Sequence, residues 1–372
     1  MPVLRQDPLT GEWVIIATER ARRPETFARK KNEEDHYKLN SREAKCPFCP
    51  GNEHLTPPEV LVYHPEHAGL AYAGSPGTAA GTSPHTSSRA GYAAAMEESG
   101  GNGAAWAVRV IPNKFPALER NESIKWDADL FDRCGYFQSY QGYGVHEVII
   151  ETPVHNRHLG DLEEGELSLV LRSFADRTIA LGEDPHLRYV QIFRNHRREA
   201  GASIEHPHCQ LLGLPYIPPL LEKEYTRAHA YYLERGRCLL CTLLEEEEKD
   251  GSRIVLENDS YVAYIPFAAS LPFSTLIVPR EHSSSLETNR QGWEEKLAPL
   301  LREFLVNLSE RLEDPPYNMY LHTAPLRSQS LPYYHWHLAL IPKLTIVAGW
   351  EMATGTYINV SQPEEAAQFL RS

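Results

Sequence analysis

The chain has 372 residues, of which 42% are hydrophobic and 23% are charged, and this length favours two domains with sizeable cores. Its formal net charge of −13 argues against a general binder of nucleic acid or anionic membranes, because phosphate-rich surfaces would repel it. The sequence has no run of about 18 apolar residues, and its first residues lack the apolar segment of a secretory signal. We therefore expect a cytoplasmic protein without a membrane span.

The first half of the chain contains one long segment without periodicity, followed by a strand–helix–strand pattern. Residues 71–105 are rich in Gly, Ala and Ser, which predicts a mobile surface loop. Runs of β-branched residues predict strands at 145–150 and 189–193. Apolar residues at helical spacing from Leu167 to Leu181 predict a helix between these strands.

The second half repeats the strand–helix–strand pattern. Residues 275–278 and 317–321 are predicted strands, and apolar positions from Leu297 to Leu308 predict the helix between them. Pro299 is compatible with this helix only near its first turn. Near the end, Ser361 is followed three residues later by Glu364, which predicts a capping-box start for a short helix.

An internal repeat relates the two halves. Each half has a Cys-x-x-Cys pair followed by a histidine after a strand and by a His-x-His motif. The interval from His155 to His206 is 51 residues, and the interval from His282 to His335 is 53. We therefore predict two related α+β halves, at residues 1–215 and 216–372.

Two thiols and two imidazoles in each half make a complete ligand set for tetrahedral zinc. The predicted ligands are Cys46, Cys49, His155 and His206 in the first half, and Cys238, Cys241, His282 and His335 in the second. Four protein ligands leave no open coordination position, so both zinc ions would be structural. The alternative is that the cysteines are free core residues and the histidines are ordinary polar groups.

His208 is the predicted nucleophile. On an extended strand, residues two apart share a face, so His206, His208 and Gln210 would point the same way. An imidazole beside an anchored zinc ligand is well pre-organised for nucleophilic catalysis, and Gln210 can donate a hydrogen bond. The alternatives for His208 are a metal ligand or a core histidine, while Cys209 would face away from the site.

Several polar residues are candidates for binding phosphate. Asn195 and Ser203 flank a turn that contains Gly201, and they could supply small donors to phosphate oxygens. Arg20 and Arg23 are candidates for a two-pronged contact with the same group.

Six motifs in order resemble the galactose-1-phosphate uridylyltransferase family, a branch of the histidine-triad superfamily. They are DPLTGEWV from Asp7, CPFCPGN from Cys46, NKFPAL from Asn113, HPHCQ from His206, HWH from His335 and AGWE from Ala348. The resemblance covers nearly the whole chain except residues 71–105. It implies an α+β fold of two histidine-triad-like halves, each an antiparallel sheet with helices.

The resemblance also implies a ping-pong reaction through a covalent nucleotidyl-histidine. His208 would take a nucleotide from a nucleotide sugar and release sugar 1-phosphate, and a second phosphate acceptor would then take the nucleotide. Asn113 and Phe115 would contact the nucleoside, Glu351 the sugar, and the phosphate-binding candidates named above the phosphates. The family also implies a homodimer whose subunits complete each other's active sites.

Departures from the family pattern leave the substrate open. Some members bind iron at the second site through Glu and His, whereas Cys238 and Cys241 favour zinc here, as in an ADP-glucose phosphorylase-like branch. Tyr357 stands where a hexose-binding Gln is expected. UDP-glucose–hexose-1-phosphate uridylyl transfer is our leading hypothesis, and adenylyl transfer from ADP-glucose to phosphate is the main rival. A nucleotide hydrolase and a zinc module without catalysis are further alternatives, disfavoured by Gln210 and by the net charge respectively.

Overall fold

We describe the fold from a computed structural model, which covers residues 2–20, 43–68, 106–120, 132–134, 137–139, 141–288, 292–328 and 330–372. The expected loop at 71–105 lies outside these residues. The strands are β1 (Val3–Gln6), β2 (Trp13–Ile16), β3 (Leu61–Tyr63), β4 (Val108–Pro112), β5 (Asp132–Cys134), β6 (Phe137–Ser139), β7 (Val145–Ile150), β8 (Tyr189–His196), β9 (His208–Leu214), β10 (Ile254–Glu257), β11 (Tyr261–Tyr264), β12 (Thr275–Pro279), β13 (Tyr317–His322), β14 (His337–Pro342) and β15 (Tyr357–Asn359). The helices are α1 (Glu164–Gly182), α2 (Pro219–Arg235), α3 (Leu239–Asp250), α4 (Trp293–Leu312), α5 (Gly349–Thr354) and α6 (Pro363–Arg371). None of these helices has the length and apolar character needed to span a membrane.

One ten-stranded antiparallel sheet runs through both halves of the chain. Its strand order is β10-β11-β12-β14-β13-β8-β9-β7-β4-β3, so each half contributes five consecutive strands. The halves meet where β13 pairs with β8. This architecture confirms the predicted α+β class with an antiparallel sheet and helices in each half. A separate three-stranded sheet joins β1, β2 and β15.

Helices α1 and α4 pack against each other, and their buried side chains belong to the main hydrophobic core. Leu167 and Phe174 of α1, with Leu301 and Phe304 of α4, are almost completely removed from solvent. The apolar spacing that predicted both helices is therefore the spacing of their core-facing sides. The predicted strands at 145–150, 189–193, 275–278 and 317–321 all lie within β7, β8, β12 and β13.

Two helix starts differ from the sequence-based expectation. Helix α4 begins at Trp293, so Pro299 is its seventh residue and lies beyond the first turn. The capping-box prediction for α6 was wrong, because Gln362 is the N-cap and Pro363 is the first helical residue. A proline at this position fixes the start of a helix, and Glu364 instead pairs with Arg5 and Arg253, each at 2.9 Å.

Candidate active site and metal centres

The first Cys-x-x-Cys pair and two histidines of the first half converge in the interior. Their ligand atoms all lie within 4.8 Å of one another, and all four residues are buried. Cys49 Sγ lies 3.4 Å from His155 Nδ1 and 3.6 Å from His206 Nδ1, and Cys46 Sγ lies 3.7 Å from His206 Nδ1. His206 Nε2 donates to the Thr152 carbonyl at 2.8 Å, which leaves Nδ1 free to bind a metal.

The second half assembles the same donor set at its own site. Cys238, Cys241, His282 and His335 again bring their ligand atoms within 4.8 Å. Cys241 Sγ lies 3.3 Å from Nδ1 of both His282 and His335. A hydrogen bond from Cys241 lowers the pKa of the Cys238 thiol, which favours a thiolate ligand.

The spacing of these atoms suits zinc. With Zn–S about 2.3 Å and Zn–N about 2.05 Å, sulfur and nitrogen ligands of a tetrahedral site lie about 3.6 Å apart. The distances of 3.4–3.7 Å in the first half match that value, and those of 3.3 Å in the second are slightly shorter. Both groups could therefore hold a metal through the predicted residues.

His208 begins β9, two residues after His206, which belongs to the first group of potential metal ligands. The strand does not include His206, so the expectation that both lie on one extended strand was wrong. His208 Nδ1 lies 2.8 Å from the His206 carbonyl, which can only accept, so Nδ1 carries the hydrogen and Nε2 the lone pair. Burial lowers the pKa of His208, which favours the neutral imidazole. Cys209 faces the other side of the strand, as expected, and its thiol lies 3.1 Å from Glu151.

Two cavities meet at His208. The first, of about 290 Å³, is bounded by Phe48, Asn113, Phe115 and Gln210. The second is lined by polar residues of the segment 194–208. Ser203, Ile204 and His208 line both cavities, so His208 lies at their junction.

A strained turn borders the second cavity. Arg197 has φ of 68° and ψ of 162°, a region that is otherwise almost restricted to glycine, and Gly201 has φ of 99°. The Arg197 guanidinium bonds to Asp314, which also accepts from His196 Nε2 at 2.7 Å. Asn318 Nδ2 donates to Asn195 Oδ1 at 2.7 Å. These contacts hold the turn between Asn195 and Ser203 in place.

Of three further predicted site residues, the structure places only the Glu351 side chain. Arg23 lies outside the described residues, and only the backbone of Arg20 is described. Glu351 lies on α5 and lines a different cavity with Ile346 and Ile358. The sugar-binding role expected for Glu351 thus has no support from contacts within one chain.

Sequence reasoning missed a buried ion pair that contacts Cys209, the residue after His208. Arg194 Nε donates to Glu151 Oε1 at 2.8 Å, and both side chains are almost completely buried. Arg194 also donates to the Tyr317 hydroxyl at 3.0 Å. Neither residue belongs to a spaced motif, so only the pairing of β7, β8 and β9 brings them together.

Sequence reasoning also missed His146 and Glu224. His146 Nε2 lies 3.0 Å from Oε1 of Gln210, a residue that lines the first cavity. Glu224 approaches His322 and His337 closely enough to form a third group of potential metal ligands, and all three are buried. The repeat identifies His337 as the structural counterpart of His208, His322 stands out in the sequence only as an extra imidazole, and Glu224 has no local signal at all.

Comparison with known proteins identifies the family. Residues 101–218 match "Galactose-1-phosphate uridyl transferase, N-terminal domain", and residues 223–372 match the C-terminal domain of the same family. The ADP-glucose phosphorylase of Arabidopsis thaliana is 33% identical over the whole of this chain and 92% of its own length. The chain belongs to the galactose-1-phosphate uridylyltransferase family.

Two further matches within this family also span the whole chain. The galactose-1-phosphate uridylyltransferase of Thermotoga maritima is 26% identical over all of this chain and 98% of its own length. A crystal structure of the Arabidopsis ADP-glucose phosphorylase with bound ADP-glucose has a TM-score of 0.75 at 30% identity, covering 100% of this chain and 99% of that chain. The resemblance found in the sequence is thereby confirmed, and so is the assignment to a nucleotidyltransferase family.

Proposed function

We propose that this chain transfers uridylyl groups from UDP-glucose to a hexose 1-phosphate through a covalent uridylyl-histidine at His208. The observation that carries the proposal is the geometry of His208. Its hydrogen bond to the His206 carbonyl leaves the lone pair on Nε2, and the residue lies at the junction of two cavities, one with aromatic walls and one polar. A nucleotide sugar has a planar base that can stack on aromatic side chains at one end, and a diphosphate with a sugar at the other, so its two ends match the two cavities.

In the first step, His208 Nε2 attacks the α-phosphorus, and the bond from that phosphorus to the bridging oxygen breaks. The sugar 1-phosphate leaves with this bond's electrons. Gln210, Ser203 and Asn195 would hold the phosphate oxygens, because oriented donors stabilise charge on a phosphoryl group in transit. Arg20 and Arg23 would neutralise the diphosphate, and Asn113 and Phe115 would bind the nucleoside.

In the second step, a phosphate oxygen of the acceptor attacks the same phosphorus from the vacated side. The N–P bond breaks, and His208 regains its lone pair. The His208 imidazole needs no proton at Nε2 in either step, because Nε2 starts and ends with its lone pair and the hydrogen stays on Nδ1, bonded to the His206 carbonyl.

We further propose that both Cys₂His₂ groups hold structural zinc, with iron as the alternative at the second. Zinc would cross-link distant segments, and the first site would fix His206, from whose carbonyl His208 takes its orientation. Thiol ligands that must stay reduced suit the cytoplasm, which we propose as the compartment.

In a homodimer, Glu351 could bind the sugar in the active site of the partner subunit. Beside Glu351, residues Ile346 and Met352 are 92% and 79% exposed, and Trp350 is 50% exposed. Neighbouring apolar side chains exposed to this degree are typical of a protein interface. We propose that this surface packs on a second copy and delivers Glu351 to the sugar at the partner's His208. A chain that remains monomeric at assay concentration, yet is active, would contradict this.

Adenylyl transfer from ADP-glucose to phosphate is the second candidate. It is supported by the 33% identity to an ADP-glucose phosphorylase, by Cys238 and Cys241 at the second site, and by Tyr357. The residues proposed above would serve either base, so the donor must be tested directly.

The test is the intact mass of the protein after brief incubation with UDP-glucose or ADP-glucose without acceptor. A gain of one UMP, discharged by galactose 1-phosphate, is the expected result. A gain of one AMP, discharged by phosphate, would instead establish the second candidate, and rapid loss of either nucleotide to water would indicate a hydrolase. His208→Asn should form no adduct while binding as much zinc as the wild type, whereas an adduct in this variant would remove His208 as the nucleophile.

A further inference from the structure

His146 and Gln210 lie on the same side of the sheet as His208. Val148 pairs directly with Gln210 in the β7–β9 register, and Ile150 pairs with His208. Residues 146, 148 and 150 share one side of β7, so His146 is a diagonal neighbour of Gln210. His146 thus reaches Gln210 across the β7–β9 pair and does not need to contact His208.

The hydrogen bonds of His146 determine its tautomer. The backbone N–H of Ala117 donates to His146 Nδ1 at 3.1 Å, so Nδ1 must have the lone pair. In the neutral imidazole the hydrogen is then on Nε2, which lies 3.0 Å from Gln210 Oε1. His146 is therefore the donor and the Gln210 oxygen is the acceptor. The reverse arrangement would leave the Ala117 N–H facing another hydrogen.

The same logic fixes the amide of Asn113. Its Oδ1 accepts from the Phe115 backbone N–H at 2.9 Å, so its nitrogen is the atom that lies 3.2 Å from His146 Nε2. Asn113 Nδ2 and His146 Nε2 both carry hydrogens, so they do not bond to each other, and the Asn113 hydrogens must be directed at other acceptors. The ring of His146 thus connects Gln210 with the loop that follows β4.

We propose that His146 is a positioning residue that holds the Gln210 amide with its NH₂ group toward the phosphoryl group transferred by His208. The inference rests on the function proposed above. A glutamine amide can rotate by a half-turn, and the two orientations differ in whether a donor or an acceptor meets the phosphate oxygens. With its oxygen engaged by His146, Gln210 presents its donors. Without that contact, the reversed amide would present an oxygen to negatively charged oxygens.

The test combines variants at both positions in single-turnover nucleotidylation. Gln210→Ala should slow adduct formation by about 100-fold, the usual loss for one oriented donor, and His146→Leu by about 10- to 100-fold. In the Gln210→Ala background, His146→Leu should change the rate by less than about two-fold, because its effect passes through the amide that has been removed. The dissociation constant of the donor should change much less than the rate.

A conservative variant and a matched control complete the design. His146→Gln can still donate to Gln210 Oε1 and should stay within about ten-fold of the wild-type rate, even if His146→Leu folds poorly. His229→Leu makes the same exchange at an exposed position and should leave the rate unchanged. Independent effects of His146→Leu and Gln210→Ala, or a full rate in His146→Leu, would overturn the positioning role. Absence of any adduct in the wild type would instead overturn the proposed function.

Discussion

Removing the Arg194 guanidinium should destabilise the protein strongly, because it leaves the Glu151 carboxylate buried without its cation. The pair is bidentate, with contacts of 2.8 and 3.1 Å, and Arg194 and Glu151 side chains are 2% and 0% exposed. Burial disfavours the charge on Arg194, yet Glu151 outweighs it and the pKa of Arg194 is raised. Breaking such a pair from one side costs about 3–5 kcal/mol.

The stability lost by leaving Glu151 unpaired can be measured separately from the net contribution of the Arg194–Glu151 ion pair to the free energy of unfolding. We expect Arg194→Met to lower the apparent free energy of unfolding by about 3–5 kcal/mol, measured in urea at a constant zinc concentration. The double variant Arg194→Met/Glu151→Leu should recover most of the loss, since no unpaired charge stays in the interior. Lys223→Ala breaks a half-exposed pair with Glu12 and should cost no more than about 1 kcal/mol.

Two outcomes would refute this reasoning. If Arg194→Met costs less than about 1 kcal/mol, water or a rearranged partner must already compensate Glu151. If the double variant is as unstable as the sum of the single variants, the loss comes from packing and not from the unpaired charge.

Three further predictions concern the metals, acid and the strained turn. Cys49→Ser should remove one zinc equivalent and Cys241→Ser the other, as measured by elemental analysis; loss of both ions in either variant would contradict separate sites. Burial lowers the pKa of His196, so below about pH 6.5 the unfolded chain binds a proton at this residue that the folded chain does not. The free energy of unfolding should therefore decrease as the pH is lowered below that value. His196→Gln can keep the bond to Asp314 and should weaken this fall, whereas an identical pH profile would exclude His196 as its source. Arg197→Gly should be about 1 kcal/mol more stable than Arg197→Ala in urea, because both lose the ion pair but only glycine adopts φ of 68° without strain, and an equal stability would show that the turn relaxes.

The two groups of potential metal ligands were the most predictable part of the site. Cys-x-x-Cys is a local signal, and repetition of the whole order made Cys46 and Cys238 recognisable as equivalent. Four strands of the main sheet, β7, β8, β12 and β13, were predictable for the same reason, since β-branched runs are local. The fold class followed from the alternation of these elements.

Contacts set by tertiary structure were not predictable from one sequence. His146 reaches Gln210 only through the register of β7 and β9, and Glu224 reaches His337 from a helix that follows the first half. The N-cap of α6 is Gln362 and not Ser361, because the proline at the first helical position fixes the start of the helix despite the Ser-x-x-Glu pattern. Glu351 follows a family motif, but a motif does not show whether its residue acts in its own chain.

The pairing of β8 with β13 relates the two halves by a local twofold axis. Phe193 lies opposite Gln210 in the β8–β9 pair, and Tyr320 lies opposite Ala339 in the β13–β14 pair. Gln210 and Ala339 each follow the last histidine of their His-x-His motif by two residues, so Phe193 and Tyr320 are equivalent. These two residues are themselves partners in the central pair of strands.

Such self-matching contacts are the hallmark of an isologous interface between two identical subunits. Here the two halves take the place of such subunits but are parts of one chain, so their association is intramolecular and does not depend on protein concentration. In a symmetric dimer, every substitution occurs in both subunits. In a single chain, a substitution changes only one half, so the two halves can differ in the residues around their His-x-His motifs. Ala339, at the position equivalent to Gln210, shows the result. The second half has no amide donor there, and its His337 lies within 4.8 Å of the Glu224 carboxylate.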